Sequence, residues 1–251
     1  MQSELTRIRS MYRRALTALR DSGIPFMVGG AYALGLHTQI HRETKDLDIF
    51  TLPRDCPEVL KLFADLGYPS RMVARHWLGK VTWEDAVIDI ITGFRNGVNQ
   101  VERTWLDHAQ DAVLFETPVK ILAPEEMIWS KAFVMERDRY DGADIVHLIR
   151  ARAADLDWRR LLERFGPHWL LLMNHLVTFS FVYPADRHRI PGWLVHDLAE
   201  RWRREGDSSG AGICQGTLLS FTQYGHDLDE LGLLDARIKP IGTLTPENIN
   251  E

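Results

Sequence analysis

The sequence predicts an α+β fold: a layer of strands and helices over residues 1–122, then a mainly helical region over residues 123–251. Three observations predict it. From residue 4 to about residue 122, segments of helical period and of strand period follow one another as helix, strand, helix, strand, helix and then several strands. From Pro124 onward the apolar spacing is helical. A chain of 251 residues suits one large domain or two small ones.

In the first region, Leu5, Ile8, Met11, Tyr12, Ala15, Leu16 and Leu19 recur at helical spacing with arginines on the opposite face, and Gly23 is placed to stop that helix. Pro25 leads into the short apolar strand PFMV, which the Gly29–Gly30 pair turns into a short helix, AYALGLH. HTQIHRE reads as loop and KDLDIFTL as the second strand. Residues 57–66 read as a crossover helix closed by Gly67. Segments 71–77, 80–84 and 86–92 are strand candidates; VERTWLDHA is a short helix, and VLFETPVKIL carries one or two short strands.

In the second region PEEMIWSKAFVMER starts with proline in its first turn and acids beside it, as helix N-termini prefer. Residues 141–151, 157–165, 168–182 and 193–204 read as further helices. The apolar run 169–183 is too short to span a bilayer and is interrupted by Asn174 and His175, so it reads as a buried helix. A Gly/Ser-rich break at 205–212 precedes a final short segment. The chain from Pro240 onward reads as a loosely held tail.

Composition narrows the function classes. A net charge of -5 argues against a dedicated DNA-coating surface while leaving room for a local basic groove. The two cysteines, Cys56 and Cys214, lie far apart with no ligand spacing, which argues against a zinc site or disulfide framework and fits a reducing cytoplasm. The N-terminus lacks the apolar core of a signal peptide, and no segment calls for a membrane.

The chemistry concentrates in TKDLDIF. On a strand, the period of two puts the carboxylates of Asp46 and Asp48 on one face and Leu47 and Ile49 on the other. Carboxylates that close repel each other, and a divalent cation between them removes the repulsion; Mg²⁺ takes carboxylate oxygens together with substrate phosphates. Asp89 interrupts the apolar strand VIDII, where a carboxylate is costly unless something pairs with it. Each acid alone also reads as a polar strand face turned to solvent. Jointly, downstream of one Gly-Gly turn, they would form a three-carboxylate site for one or two Mg²⁺ ions, with Mn²⁺ as a substitute. The backbone N–H groups of Gly29 and Gly30, at a turn before a helix, offer an anion cradle that a triphosphate can approach closely. Neither a P-loop spelling nor GxGxxG is present.

Gly29 and Gly30, a spacer, Arg42, Thr44, Asp46 and Asp48, and later the apolar-flanked Asp89, resemble the nucleotidyltransferase superfamily related to DNA polymerase beta. Within it the chain looks most like the small bacterial minimal nucleotidyltransferases and the abortive-infection type toxins, and somewhat like the aminoglycoside and lincosamide nucleotidyltransferases. The specific part covers residues 24–92. The resemblance implies a mixed sheet flanked by helices, two Mg²⁺ ions and an NTP donor such as ATP. It also implies transfer of NMP to an acceptor hydroxyl with release of pyrophosphate. Asp46 and Asp48 would bind both metals, Asp89 would complete the one bearing the acceptor hydroxyl, and Gly29, Gly30, Arg42 and Thr44 would belong to the donor site.

Lys131 is similar to the lysine that these families aim at the donor's phosphates. Arg137, Arg139, Asp141 and Asp144 look like the charged patch that follows it, with Asp144 counted to the same site. Beside that stands a plainer reading, a solvated charge run with Asp141 capping the next helix. Gly142 and Ala143 depart from the KD-x-x-D spelling of the toxin-like families. The acceptor stays open. An RNA such as a tRNA end would need a basic path, which Arg71, Arg75, Arg95 and Arg103 offer; a protein hydroxyl needs none, and an aminoglycoside-like small molecule wants an acidic pocket. The toxin-like members imply a cognate toxin or antitoxin partner. Two other classes of function stand beside the enzyme: a nucleotide- or partner-binding module of the same fold without turnover, and a helical interaction protein whose acidic strand is incidental.

The remaining polar singles carry less. His37, His41, His147, His168 and His175 share no metal spacing, and Trp158, Trp169, Trp193 and Trp202 sit at apolar helical positions expected to be core.

Overall fold

The computed structural model of the chain describes residues 2–42, 44, 46–84, 86–205 and 212–249, with side chains from residue 6 onward. Two compact units result: Met1–Ala123 joined by Thr243–Glu251, and Pro124–Gly242.

The first unit is built on a seven-stranded mixed sheet. In chain order its elements are α1 (Gln2–Ser22), β1 (Met27–Val28), α2 (Gly30–Thr38), β2 (Asp46–Phe50), α3 (Cys56–Asp65), β3 (Ser70–Ala74), β4 (Leu78–Trp83), β5 (Ala86–Ile91), α4 (Arg103–His108), β6 (Gln110–Leu114) and β7 (Thr117–Ile121). The strands lie side by side as β3-β4-β5-β2-β1-β7-β6. β2 runs parallel to β5 and β1 parallel to β7, while the β1–β2, β3–β4, β4–β5 and β6–β7 pairs are antiparallel. The parallel β2–β5 pair is what the crossover through α3 and the β3–β4 hairpin accomplishes.

Alternation along the central strands decides which face is core. Leu47 and Ile49 of β2, Ile88 and Ile90 of β5 and Val81 of β4 are fully buried. They share the face covered by α3, whose Val59 and Phe63 are buried and whose Leu60 side chain meets Gly79. Each such aliphatic side chain contributes roughly 1.5–3 kcal/mol by leaving water. The other face carries Asp46, Asp48 and Phe50. Phe50 stacks on Trp105 of α4 at 6.2 Å, and Phe94 closes the group, so this face is apolar at one end and polar at the other.

Residues 243–249 are not a loose tail. Thr243 Oγ1 donates to the Gly97 carbonyl at 2.5 Å, and Leu244 is buried against Gly97, where a Cβ would come within 2.6 Å of its Cγ. The polar composition of the segment hid the one leucine that anchors it.

The second unit contains α5 (Pro124–Ala132), α6 (Gly142–Arg152), α7 (Trp158–Phe165), α8 (Trp169–Val182), α9 (Gly192–Glu205) and α10 (Phe221–Glu230), with a two-stranded parallel ribbon of β8 (Ile213–Cys214) and β9 (Leu234–Asp235). Its core gathers Ile128, Ile145, Leu148, Ile149, Leu161, Phe165, Leu172 and Phe179, with Trp129 edge-on to Phe133 and Phe165. The acids at the start of α5 do more than favour a helix N-terminus. Glu126 is fully buried and pairs with Arg160 and Arg164 of α7, and Glu125 pairs with Arg160 at 3.2 Å. Asp157 caps α7 by accepting from the N–H groups of Arg159 and Arg160.

Several helical expectations are corrected. α5 ends at Ala132 rather than running to residue 137. α8 is buried on one side only, through Trp169, Leu172, Leu176 and Phe179, while Val177 and Phe181 are exposed. Trp158 and Trp169 are core, as expected, but Trp193 and Trp202 are exposed, with the Arg159 guanidinium 4.9 Å from the Trp193 ring centre. Apolar spacing alone does not say which helix faces find a partner. The break at 205–212 lies, but for its ends, outside the described residues.

Candidate active site

Strand register brings the sequence-predicted acids together. Asp48 is the direct partner of Asp89 across the parallel β2–β5 pair, and Asp46 lies two residues earlier on the same side of β2, opposite Val87. Paired residues on adjacent strands point to the same face, at a strand spacing of about 4.8 Å. Asp46 is exposed and the other two are half-buried. The row continues: Asp89 pairs with Lys80 of β4, and Lys80 with Arg71 of β3. The Lys80 ammonium donates to Asp89 Oδ1 at 2.7 Å.

The Gly-Gly turn packs directly on this row. Gly30 has φ +56° and starts α2; a Cβ there would lie 1.7 Å from Asp48 Oδ2. Glycine is therefore required twice over, by the left-handed backbone and by the carboxylate against it. Gly29 has a different part. Its N–H donates to the Asp48 carbonyl at 2.9 Å, so it extends the sheet, and a Cβ on it would strike Phe50. The first-turn N–H groups of α2 have no intrahelical acceptor, the condition under which a helix N-terminus can hold an anion.

Thr44 fixes the entry to β2: its hydroxyl accepts from the Asp46 N–H at 3.2 Å and donates to the Asp46 carbonyl at 3.3 Å. Arg42 precedes it on the exposed loop; Glu43 and Lys45, to either side of Thr44, lie outside the described residues.

Two tyrosines escaped the sequence reading. Tyr12 of α1 donates its hydroxyl at 3.1 Å to the carbonyl of Val87, the residue opposite Asp46. It packs edge-on to Tyr32 of α2 at 6.1 Å, with Phe115 against both. Burial pushes the Tyr12 phenol up, and Tyr32 and the Asp46 carboxylate add to it. Burial raises the Tyr32 phenol too; Arg9 opposes that and Asp46 reinforces it. Both phenols stay protonated donors at the rim of the acidic row. Their helical spacing marked Tyr12 only as core.

In donor type and register, Asp46, Asp48 and Asp89 fit a hard divalent cation, which prefers carboxylate oxygens. Gly30 restricts Asp48 as a ligand position would require. The carboxylates are not drawn around one point: among the described residues no group of three or more His, Cys, Asp or Glu side chains is gathered to hold a metal, and Lys80 supplies positive charge to Asp89.

Lys131, Asp141 and Asp144 belong to the helical unit and bind one another. The Lys131 ammonium lies 2.8 Å from both Asp141 Oδ2 and Asp144 Oδ2, with all three side chains largely buried. Asp141 stands at the N-cap position of α6 but makes no side-chain cap; it turns to Lys131 and Arg139. Burial alone would raise its carboxyl, yet Lys131 and Arg139 outweigh that and hold it below the ordinary value. Gly142 leaves room for the Tyr140 ring, which a Cβ would strike.

The histidines fill structural roles. His37 Nε2 donates to the Leu122 carbonyl at 2.8 Å, and His175 Nε2 to that of Ala132 at 3.2 Å. Burial lowers both His168 and His175, keeping them neutral.

Comparison with known proteins gives one family. A family model described as an uncharacterised nucleotidyltransferase matches residues 3–178, from α1 to within α8. No curated protein matches the sequence. Among solved structures, the chain is similar to the antibiotic-resistance factor ANT(2″)-Ia, 16% identical over 68% of this chain and 97% of that one, with a TM-score of 0.49. It is also similar to the lincosamide antibiotic adenylyltransferase LnuA, 15% identical over 56% and 94%, TM-score 0.41. JHP933 from Helicobacter pylori is 14% identical over 91% and 98%, TM-score 0.41.

Proposed function

This chain belongs to the family described as uncharacterised nucleotidyltransferases, and from that premise we propose that it moves NMP from an NTP, with Mg²⁺ or Mn²⁺, to an acceptor hydroxyl. The observation that carries the reading is the in-register pair Asp48–Asp89 on adjacent parallel strands, with Asp46 beside it and Gly30 pressed on Asp48.

Asp46 and Asp48 would hold the metal, with Asp89 completing the set. When bound, the cation supplies positive charge to the phosphoryl oxygens and lowers the pKa of the attacking hydroxyl. The first turn of α2, opened by Gly30, orients the β- and γ-phosphates through backbone N–H groups, and Arg42 adds charge from the loop before β2. The acceptor oxygen attacks the α-phosphorus, and its proton passes to an Asp89 oxygen. The bond from the α-phosphorus to the α–β bridging oxygen breaks, and pyrophosphate leaves with that electron pair. Lys80 holds Asp89 in place before the acceptor arrives. Lys131 and Asp144 pair with each other in the helical unit, and the reading does not depend on them.

The test incubates the protein with each α-³²P-labelled NTP, Mg²⁺ or Mn²⁺, and total RNA, protein lysate or aminoglycosides, beside Asp46→Asn. Label in one fraction, absent with the variant, is the expected result. Full activity in Asp46→Asn would sink the assignment. Metal-dependent NTP binding with no product in any fraction would instead favour a binding module of the same fold.

A further inference from the structure

The carboxylate row continues into two cations, and the proposed chemistry uses only the first of them, Lys80, through its pair with Asp89. Across β2, β5, β4 and β3 it reads Asp48, Asp89, Lys80, Arg71: two anions, then two cations, on one face. The facing is fixed independently. Ser70 donates its hydroxyl to the Leu60 carbonyl of α3, so its neighbour Arg71 turns to the opposite face, where Lys80 reaches Asp89. Arg71 is exposed on the edge strand and makes no ion pair among the described residues. The whole β3–β4 hairpin, residues 69–83, contains Arg71, Arg75 and Lys80 and no acid, in a chain of net charge -5.

Charges on an edge strand also discourage sheet-to-sheet pairing. That accounts for the charge of Arg71, and the pair with Asp89 accounts for Lys80, but neither accounts for the lack of any acid across residues 69–83. A surface of this kind repels a polycationic acceptor and attracts a repeating anion. Arg71 stands two strand spacings, about 10 Å, from the Asp89 position, within reach of the phosphates that follow a terminal hydroxyl in a polynucleotide.

We propose that the β3–β4 hairpin is the acceptor-side surface, and that the acceptor is a single-stranded RNA whose terminal hydroxyl lies at Asp89 while its phosphates lie on Lys80, Arg71 and Arg75. This rests on the transferase reading for the hydroxyl and on the hairpin for the phosphates, so the two are tested separately. The step is the one written above, with the RNA terminal oxygen as nucleophile and pyrophosphate as leaving group.

The experiment measures anisotropy of a fluorescein-labelled single-stranded RNA oligonucleotide with the full chain, across a salt series, beside calorimetric binding of Mg²⁺·NTP. Arg71→Glu should weaken RNA binding by about tenfold or more and lower the salt slope by about one phosphate. Its NTP affinity and melting temperature should stay those of wild type. Arg71→Gln should fall between. Lys61→Glu, the same charge change on α3 across the sheet, should bind RNA as wild type does. The inference is overturned if wild type does not bind the RNA, if Arg71→Glu binds it unchanged, or if label passes only to a protein or an aminoglycoside. Hairpin-dependent RNA binding with no nucleotide transfer from any NTP would sink the transferase reading, and with it the assignment of this RNA as acceptor.

Discussion

Gly30→Ala is the substitution that tests the site most directly. An added methyl would lie 1.7 Å from Asp48 Oδ2 and 2.6 Å from its Cγ, at a backbone φ of +56°. The left-handed backbone alone costs an alanine roughly 1–2 kcal/mol. To restore the 3.0 Å that real Cβ contacts respect, the carboxylate must retreat by about 1.3 Å. A displacement of about 1 Å in catalytic machinery costs on the order of 10²-fold in rate. Gly67→Ala separates the two effects, since Gly67 has φ +85° with nothing within 4 Å of its would-be Cβ. Both variants should lose a few degrees of melting temperature, at ~2–4 °C per kcal/mol for a chain of this size. Only Gly30→Ala should lose transfer by about 10²-fold and weaken Mg²⁺·NTP binding in calorimetry. Transfer within tenfold of wild type in Gly30→Ala would refute the role of Gly30 as the wall that sets Asp48.

Further outcomes are expected elsewhere. Asp48→Asn, like Asp46→Asn, should abolish transfer with circular dichroism and melting temperature retained; a variant that turns over normally contradicts the carboxylate assignment. Lys131→Met strands the Asp141 and Asp144 carboxylates together in a largely buried position, at a cost of about 3 kcal/mol, the low end for a broken buried pair because Arg139 still serves Asp141; urea unfolding reads it, and a change below about 1 kcal/mol would show the pair to be screened. His168 and His175 have folded pKa values depressed by burial below 6.5. Their contribution is therefore complete above 6.5 and is lost as the pH falls from there through the lower folded values, because the unfolded chain takes up protons that the folded one refuses. Unfolding in urea at several pH values should show that decline, and His175→Gln should flatten it.

The Lys80–Asp89 pair stands where the metal reading places a ligand. A lysine within 2.7 Å of a carboxylate supplies the counter-charge that a half-buried acid needs when the substrate complex is not assembled. It is compatible with the acids acting as ligands, since a divalent charge attracts the carboxylate more strongly than the single charge of Lys80 at a similar distance.

Much of this protein was legible in one dimension. The period of two in Asp46-Leu47-Asp48-Ile49 determined that both acids share a face opposite the core, because a strand alternates whatever surrounds it. The Gly-Gly turn, the helix stop at Gly23 and the change to helical spacing at Pro124 are local too, set by backbone freedom and by apolar repeat. Tertiary structure alone decided the rest. Which residue stands opposite Asp48 depends on the crossover that makes β2 and β5 parallel neighbours, and no spacing in the chain encodes that register. The antiparallel β4–β5 and β3–β4 pairs put Lys80 on Asp89 and lined up Arg71 behind it. Long-range packing put Tyr12 at the rim of the acids, bound Glu126 to Arg160 and Arg164, and left Trp193 and Trp202 in solvent. Apolar pattern states which faces seek burial; only the folded chain, with its limited number of partner faces, determines which of them find it.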